Sequence, residues 1–87
     1  MTSMITSEIA ENIDVLVQFG RDGLRPRVFI WEKRRYDITR INASWTEREG
    51  LYRQYRFSVQ TDGANVYELA LDQRELKWRL VRIHMEG

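Results

Sequence analysis

The sequence has no cysteine, one histidine and one proline in 87 residues. Without cysteine there is neither a disulfide framework nor a thiolate metal site. A metal site needs several ligands converging. His84 stands alone beside Arg82 and Glu86, so it reads as a structural residue. No apolar run approaches the roughly 20 residues that a membrane helix needs. Met1-Thr2-Ser3-Met4 is not a basic segment leading into an apolar one, so no secretory signal is expected. The expectation is a soluble cytoplasmic chain with no membrane partner.

Catalytic constellations are missing as well. No serine stands in a strand–turn–helix elbow with a base in reach. Glu47/Glu49 and Asp72/Glu75 fall in polar stretches and read as solvated turn residues rather than an acid–base dyad. Gly20-Arg21-Asp22-Gly23 lacks the spacing and the following helix of a phosphate loop. Neither an enzyme nor a bound cofactor is expected.

What the chain does have is apolar and aromatic content. Apolar residues are 43% and charged residues 31%, the balance of a globular domain. The net charge of +1 hides an asymmetry. Residues 1–24 carry Glu8, Glu11, Asp14 and Asp22 against Arg21, which leaves a surplus of four positive charges in the remainder. The pI near 8.1 stays below the value of about 9 that marks a strongly basic nucleic-acid domain.

Hydrophobic periodicity assigns the fold class. Residues 1–11 read as a flexible or short helical arm, and 12–87 as a single β-rich domain. From Asn12 a period of two begins, with Ile13, Val15, Val17 and Phe19 on one face. Gly20-Arg21-Asp22-Gly23 ends that strand. Pro26 belongs at a strand start or edge. Val28-Phe29-Ile30-Trp31 is apolar on both faces and reads as sandwiched. A hairpin follows, with Lys33-Arg34 as its loop and Trp31 opposite Tyr36; a slightly longer loop is the alternative. Tyr36 and Ile38 differ in parity from Ile41 and Trp45, which predicts a bulge or bend near Thr39-Arg40. Asn42-Ala43-Ser44 reads as leaving the sheet, and Thr46 to Gly50 as a polar loop.

Residues 51–83 form a meander whose register the pattern specifies. Sharing one apolar face requires Val59 opposite Tyr67, Phe57 opposite Leu69 and Tyr55 opposite Leu71. The connecting loop then has an odd number of residues around Asp62-Gly63-Ala64. The same rule places Leu71 opposite Trp78 and Leu69 opposite Leu80, around a loop from Asp72 to Lys77. The last strand is either covered on both faces or bulged near Leu80. The sum is about six antiparallel strands curled into a twisted sheet or a small, partly open barrel, with at most one short N-terminal helix.

Most of the rings belong to a core, since a small chain needs bulky side chains to exclude water. One outward set, Tyr52, Gln54, Arg56 and Ser58 beside Arg53, combines a ring with cations. With Arg34, Arg35, Arg40, Arg79 and Arg82 it is the candidate surface for single-stranded nucleic acid. Cross-strand Arg/Glu pairing on a solvated face accounts for the same residues.

The order Arg25-Pro26, Phe29-x-Trp31, Tyr36-x-Ile38-x-x-Ile41, Trp45, Arg53-x-Tyr55-x-Phe57, Val66-Tyr67-Glu68-Leu69-Ala70-Leu71-Asp72 and Trp78-Arg79-Leu80-Val81-Arg82-Ile83 resembles a small bacterial domain family of unknown function. It is also similar to the C-terminal region of ImuB-type proteins, the polymerase-like partners in mutagenic DNA repair. The resemblance spans roughly residues 12–85. It implies a β-rich accessory or protein-contact module connected with DNA repair, and it carries over no catalytic residue. The family pattern has a glycine in the turn after the first tryptophan, where this chain has Lys33, which puts that turn's geometry in question. The expected function is a non-enzymatic module that contacts another protein or a second copy of itself. Weak single-stranded nucleic-acid binding is the alternative.

Overall fold

Alternating apolar residues and short turns organise the chain into seven antiparallel strands. The computed structural model describes residues 4–86. In chain order they are β1 (Met4–Gly20), β2 (Gly23–Trp31), β3 (Arg34–Asp37), β4 (Arg40–Glu49), β5 (Tyr52–Gln60), β6 (Val66–Asp72) and β7 (Lys77–Glu86). They form one sheet in the order β3-β2-β1-β7-β6-β5-β4, curled into a half-barrel. The mainly β, curled architecture is the expected one, with seven strands and no helix among the described residues.

The meander has the register required by its apolar face. Val59 pairs with Tyr67, Phe57 with Leu69 and Tyr55 with Leu71. Leu71 pairs with Trp78 and Leu69 with Leu80. The β5–β6 connection, 61–65, has five residues and is therefore odd. On the other side of β6, Asp72 also pairs with Lys77, so that loop is tighter than expected and spans only 73–76. A register shift beside Leu69 leaves Val81 as the extra residue of β7, the bulge expected near Leu80. It moves Ile83 onto the inner face with Trp78 and Leu80.

The concave face holds the core. Phe29, Val59, Leu69 and Leu80 are fully buried, with Phe57, Tyr67, Leu71, Trp78 and Ile83 around them. Phe29 stacks on Tyr36 at 4.8 Å and meets Tyr67 edge-on at 5.2 Å. Each such ring pair adds about 0.5–1.5 kcal/mol beyond simple burial.

Several local expectations are corrected. Residues 4–11 are neither a loose nor a helical arm, since β7 needs a partner for its second half. Met4–Glu8 supply it, from Met4 opposite Glu86 to Glu8 opposite Arg82. A register shift between Glu8 and Glu11, with Ala10 at φ 55°, then bends β1 toward β2. Residues 1–3 of the proposed arm lie outside the described residues. The β2–β3 hairpin turns on Glu32-Lys33 rather than Lys33-Arg34, and pairs Trp31 with Arg34 and Phe29 with Tyr36. Ring stacking fixes this register. Both turn residues take positive φ, 51° and 63°, the combination a type I′ turn requires. Lys33 thus adopts the conformation for which the family pattern uses glycine. β2 is covered on both faces only at Val28-Phe29, where both side chains are buried; beyond them Ile30 is exposed.

The largest correction concerns residues 42–49. They do not leave the sheet but form most of β4, paired with β5 from Arg40↔Gln60 to Glu49↔Tyr52. Their polarity fits an edge strand, where charge discourages uncontrolled pairing. Gly50, at φ 62°, opens the two-residue turn to β5. The expected irregularity is present in two parts. Ile38-Thr39 break the strand, and Asn42 is the extra residue where the register shifts between Ile41 and Ala43.

Candidate docking seam

The convex face of the sheet is dominated by a ladder of charge. Glu47 on β4, Arg56 on β5, Glu68 on β6, Arg82 on β7 and Glu8 on β1 succeed one another across five neighbouring strands. The separations are 3.2 Å for Arg56–Glu47, 2.9 Å for Arg56–Glu68, 3.1 Å for Arg82–Glu68 and 3.1 Å for Arg82–Glu8. Gln54 Oε1 also accepts hydrogen bonds from Arg56 Nε and Nη2. The side chains of Glu68 and Arg56 are only 8% and 11% exposed. Flanking chains cover them, so a low local dielectric strengthens the pairing. With three carboxylates and two guanidiniums, the ladder presents no positive surplus.

This geometry disperses the candidate nucleic-acid residues. Arg56 and Arg82 are held by carboxylates. Tyr52 is exposed, but the Arg74 guanidinium lies 4.5 Å above its ring centre. Arg53 is exposed opposite Arg48 on the β4–β5 hairpin. Arg34 and Arg35 sit on β3, with Arg35 paired to Asp37 at 3.0 Å. Arg79 lies on β7 by a polar hollow shared with Asp72 and Glu75. Arg40 alone sits in a groove with other cations, Arg25 and Arg27. No single surface collects the set, and cross-strand Arg/Glu pairing accounts for its centre.

The concave side offers a more coherent feature. β3 and β4 are consecutive in the chain yet occupy opposite ends of the sheet. The link between them, Ile38-Thr39, therefore ties the sheet's two ends together. The Ile38 N–H donates to Arg27 O on β2, and the Thr39 N–H donates to Gln60 O on β5, each at 2.9 Å. The Thr39 hydroxyl adds one more donor, shared between Gln60 O at 3.2 Å and Thr61 O at 3.1 Å. Beyond this tie the barrel stays open. β3 pairs with β2 only over Val28–Trp31. Among the described residues no ladder joins β2 to β4.

The resulting seam is lined from both sides. Gly23 and Leu24 of β2, with Phe19 of β1, face Ser44, Trp45 and Thr46 of β4 and Tyr55 and Phe57 of β5 across a groove of about 470 Å³. Phe19 is 76% exposed and Tyr55 is 42% exposed, although both belong by parity to the apolar face of their strand. Tyr55 had been placed in the continuous inner face, and the missing neighbour strand is what uncovers it. Toward the tie the groove continues past Arg25, Arg27 and Arg40.

Periodicity identifies Phe19 and Tyr55 as inward-facing, and a partly open barrel is an expected shape, but the pattern does not place the opening beside these rings. Leu24, Trp45, Arg25 and Arg27 were not identified as site residues. For the β4 wall the signal is strand parity, which becomes visible only once residues 42–49 are recognised as a strand; Leu24, Arg25 and Arg27 on β2 carry none.

No described cluster of carboxylates, histidine or cysteine has the form of a metal site. No helix of the described chain is long and apolar enough to cross a membrane. Comparison with known proteins finds no matching family model, no similar curated protein and no similar solved structure.

Proposed function

We propose that this chain is a non-enzymatic β-domain that docks an extended segment of a partner protein in the seam between β2 and β4. The observation that carries the reading is the pair of unpaired strand edges facing each other across a groove of exposed rings. Open edges with apolar surface between them are a hazard unless covered. An added strand satisfies both at once: its backbone completes the ladders, and alternate side chains fill the groove. Counting from the Gly50-Leu51 turn, the Thr46 and Arg48 N–H groups lie on the open edge of β4. An accessory role in bacterial DNA repair, which rests on the resemblance alone, and a cytoplasmic location are part of the proposal.

The test is titration of the purified chain with ten-residue peptides in which leucine alternates with a charged residue. The expected result is binding of at least one peptide, lost in Phe19→Ser and in Thr46→Pro. Phe19 is exposed, so its replacement leaves the core intact. Proline at Thr46 removes a donor from the open edge without touching the β5 ladder. Absence of binding, or binding indifferent to both substitutions, contradicts the reading. Sedimentation of the chain alone separates a partner protein from a second copy.

Single-stranded nucleic-acid binding remains the second reading. It is favoured by the rings and unpaired arginines that share the groove. Nucleic acid leaves the strand edges unpaired, which is why the peptide reading comes first.

A further inference from the structure

The two halves of the seam differ in chemistry. One half is the groove around the Phe19 and Tyr55 rings, while the Trp45 ring, opposite Arg56 and donating to Glu47, turns to the convex face. The other, next to the Ile38-Thr39 tie, carries Arg25, Arg27 and Arg40. Leu24, Ser44 and Phe57 line both, so they are parts of one continuous groove. The cations arise from both of its walls, Arg25 and Arg27 from β2 and Arg40 from β4.

These arginines are not balanced as those of the convex ladder are. Arg35, Arg56 and Arg82 each meet a carboxylate within 3.2 Å. Asp22 is the only carboxylate lining the basic half, and it reaches Arg25 at 3.7 Å with both side chains largely exposed. Arg27 and Arg40 have no carboxylate partner among the described residues.

We infer that the docked strand is acidic as well as apolar, with Asp or Glu side chains meeting Arg27 and Arg40 and apolar side chains lying against Phe19, Leu24 and Tyr55. The inference rests on the docking reading above and names the chemistry of its partner. The guanidinium fork suits a carboxylate because two parallel N–H···O bonds form at once. On an extended strand, side chains on one face recur every second residue, about 6.6 Å apart. Arg40 pairs with Gln60 and so stands on the opposite face of the sheet from Phe57 and Tyr55; a strand that alternates apolar and acidic residues therefore turns its acidic face to Arg40 and its apolar face to the rings. Self-association fits less well, because the free edge of β4 carries Arg48 beside Glu47 rather than a run of acid.

The experiment is fluorescence anisotropy on the full chain with three labelled ten-residue peptides and a ten-nucleotide oligothymidylate. The peptides alternate leucine with aspartate, leucine with lysine and serine with aspartate. The leucine–aspartate peptide is expected to bind about 100-fold tighter than leucine–lysine, since like charges facing each other oppose docking. Serine–aspartate is expected to bind more weakly than leucine–aspartate, for want of apolar contact. The double variant Arg27→Glu, Arg40→Glu is expected to reverse the preference between the two leucine peptides. If that variant does not fold by circular dichroism, Arg27→Gln, Arg40→Gln serves instead, with an expected loss of about tenfold for leucine–aspartate.

Equal binding of leucine–aspartate and leucine–lysine overturns the acidic assignment and leaves strand docking standing. Failure of every peptide overturns both. Tighter binding of oligothymidylate than of any peptide at physiological salt, lost in the double variant, assigns the groove to nucleic acid and overturns the inference.

Discussion

Replacing Glu68 with alanine removes the centre of the charge ladder. Its carboxylate accepts from Arg56 at 2.9 Å and pairs with Arg82 at 3.1 Å, and its side chain is only 8% exposed. Breaking a fully buried pair by deleting one partner costs about 3–5 kcal/mol, because the other charge is left uncompensated. Two features reduce that cost here. Arg82 is 33% exposed and keeps Glu8, and Arg56 keeps Glu47 and Gln54. The expected loss is therefore about 2–3 kcal/mol, allowing for that residual pairing. For a domain of this size it lowers the melting temperature by roughly 10–20 °C. Urea and thermal unfolding, followed by tryptophan fluorescence, measure it directly. A cycle with Arg56→Ala is expected to show a coupling of about 1–2 kcal/mol. A loss below about 0.5 kcal/mol, the range of ordinary exposed positions, would refute the reasoning. The ladder would then be a solvated surface, and Arg56 and Arg82 would be available to a polyanion after all.

Further outcomes are expected. Glu32→Asn with Lys33→Gly gives the β2–β3 turn the residues its positive φ angles favour, and should stabilise the fold by about 1 kcal/mol in urea titration. Leu69→Ala opens a cavity at a fully buried position and should cost about 2–5 kcal/mol in the same assay. Phe19→Ser, at an exposed ring, should change stability by less than about 0.5 kcal/mol while removing peptide binding. A large loss of stability in that variant would show that the ring belongs to the core.

The legible parts of the fold were those where one apolar face had to be shared. Val59, Phe57 and Tyr55 have only one register with Tyr67, Leu69 and Leu71 that keeps all six on one side. Residues 42–49 were not legible for the opposite reason. An edge strand satisfies one ladder and one thin face, so polar residues suffice and resemble a loop. The arm at 4–11 is illegible for a similar reason: its pairing is set by β7, between Glu11↔Leu80 and Met4↔Glu86, at the other end of the sequence. The Glu32-Lys33 turn was missed because neither residue announces positive φ, and the stacking of Phe29 on Tyr36 overrides the local preference.

The seam was the least legible feature. Phe19 and Tyr55 look like any other core rings, and only closure of the barrel decides whether they are covered. Arginines on the meander drew attention because they stood beside exposed positions, yet Arg56 is absorbed by Glu68. Arg25 and Arg27, around the single proline, attracted none. Their grouping with Arg40 depends on the chain crossing from one end of the sheet to the other at Ile38-Thr39.

The central claim is that the edges of β2 and β4 receive an extended chain. Nitrogen-15 NMR with amide hydrogen exchange, before and after adding the leucine–aspartate peptide, tests it most directly. The account predicts shift changes confined to 23–27, 42–49 and the neighbouring rings. It also predicts slowed exchange at the Thr46 and Arg48 amides as they gain strand partners. Shift changes centred on Glu68 and the convex face, or unchanged exchange along β4, would contradict it.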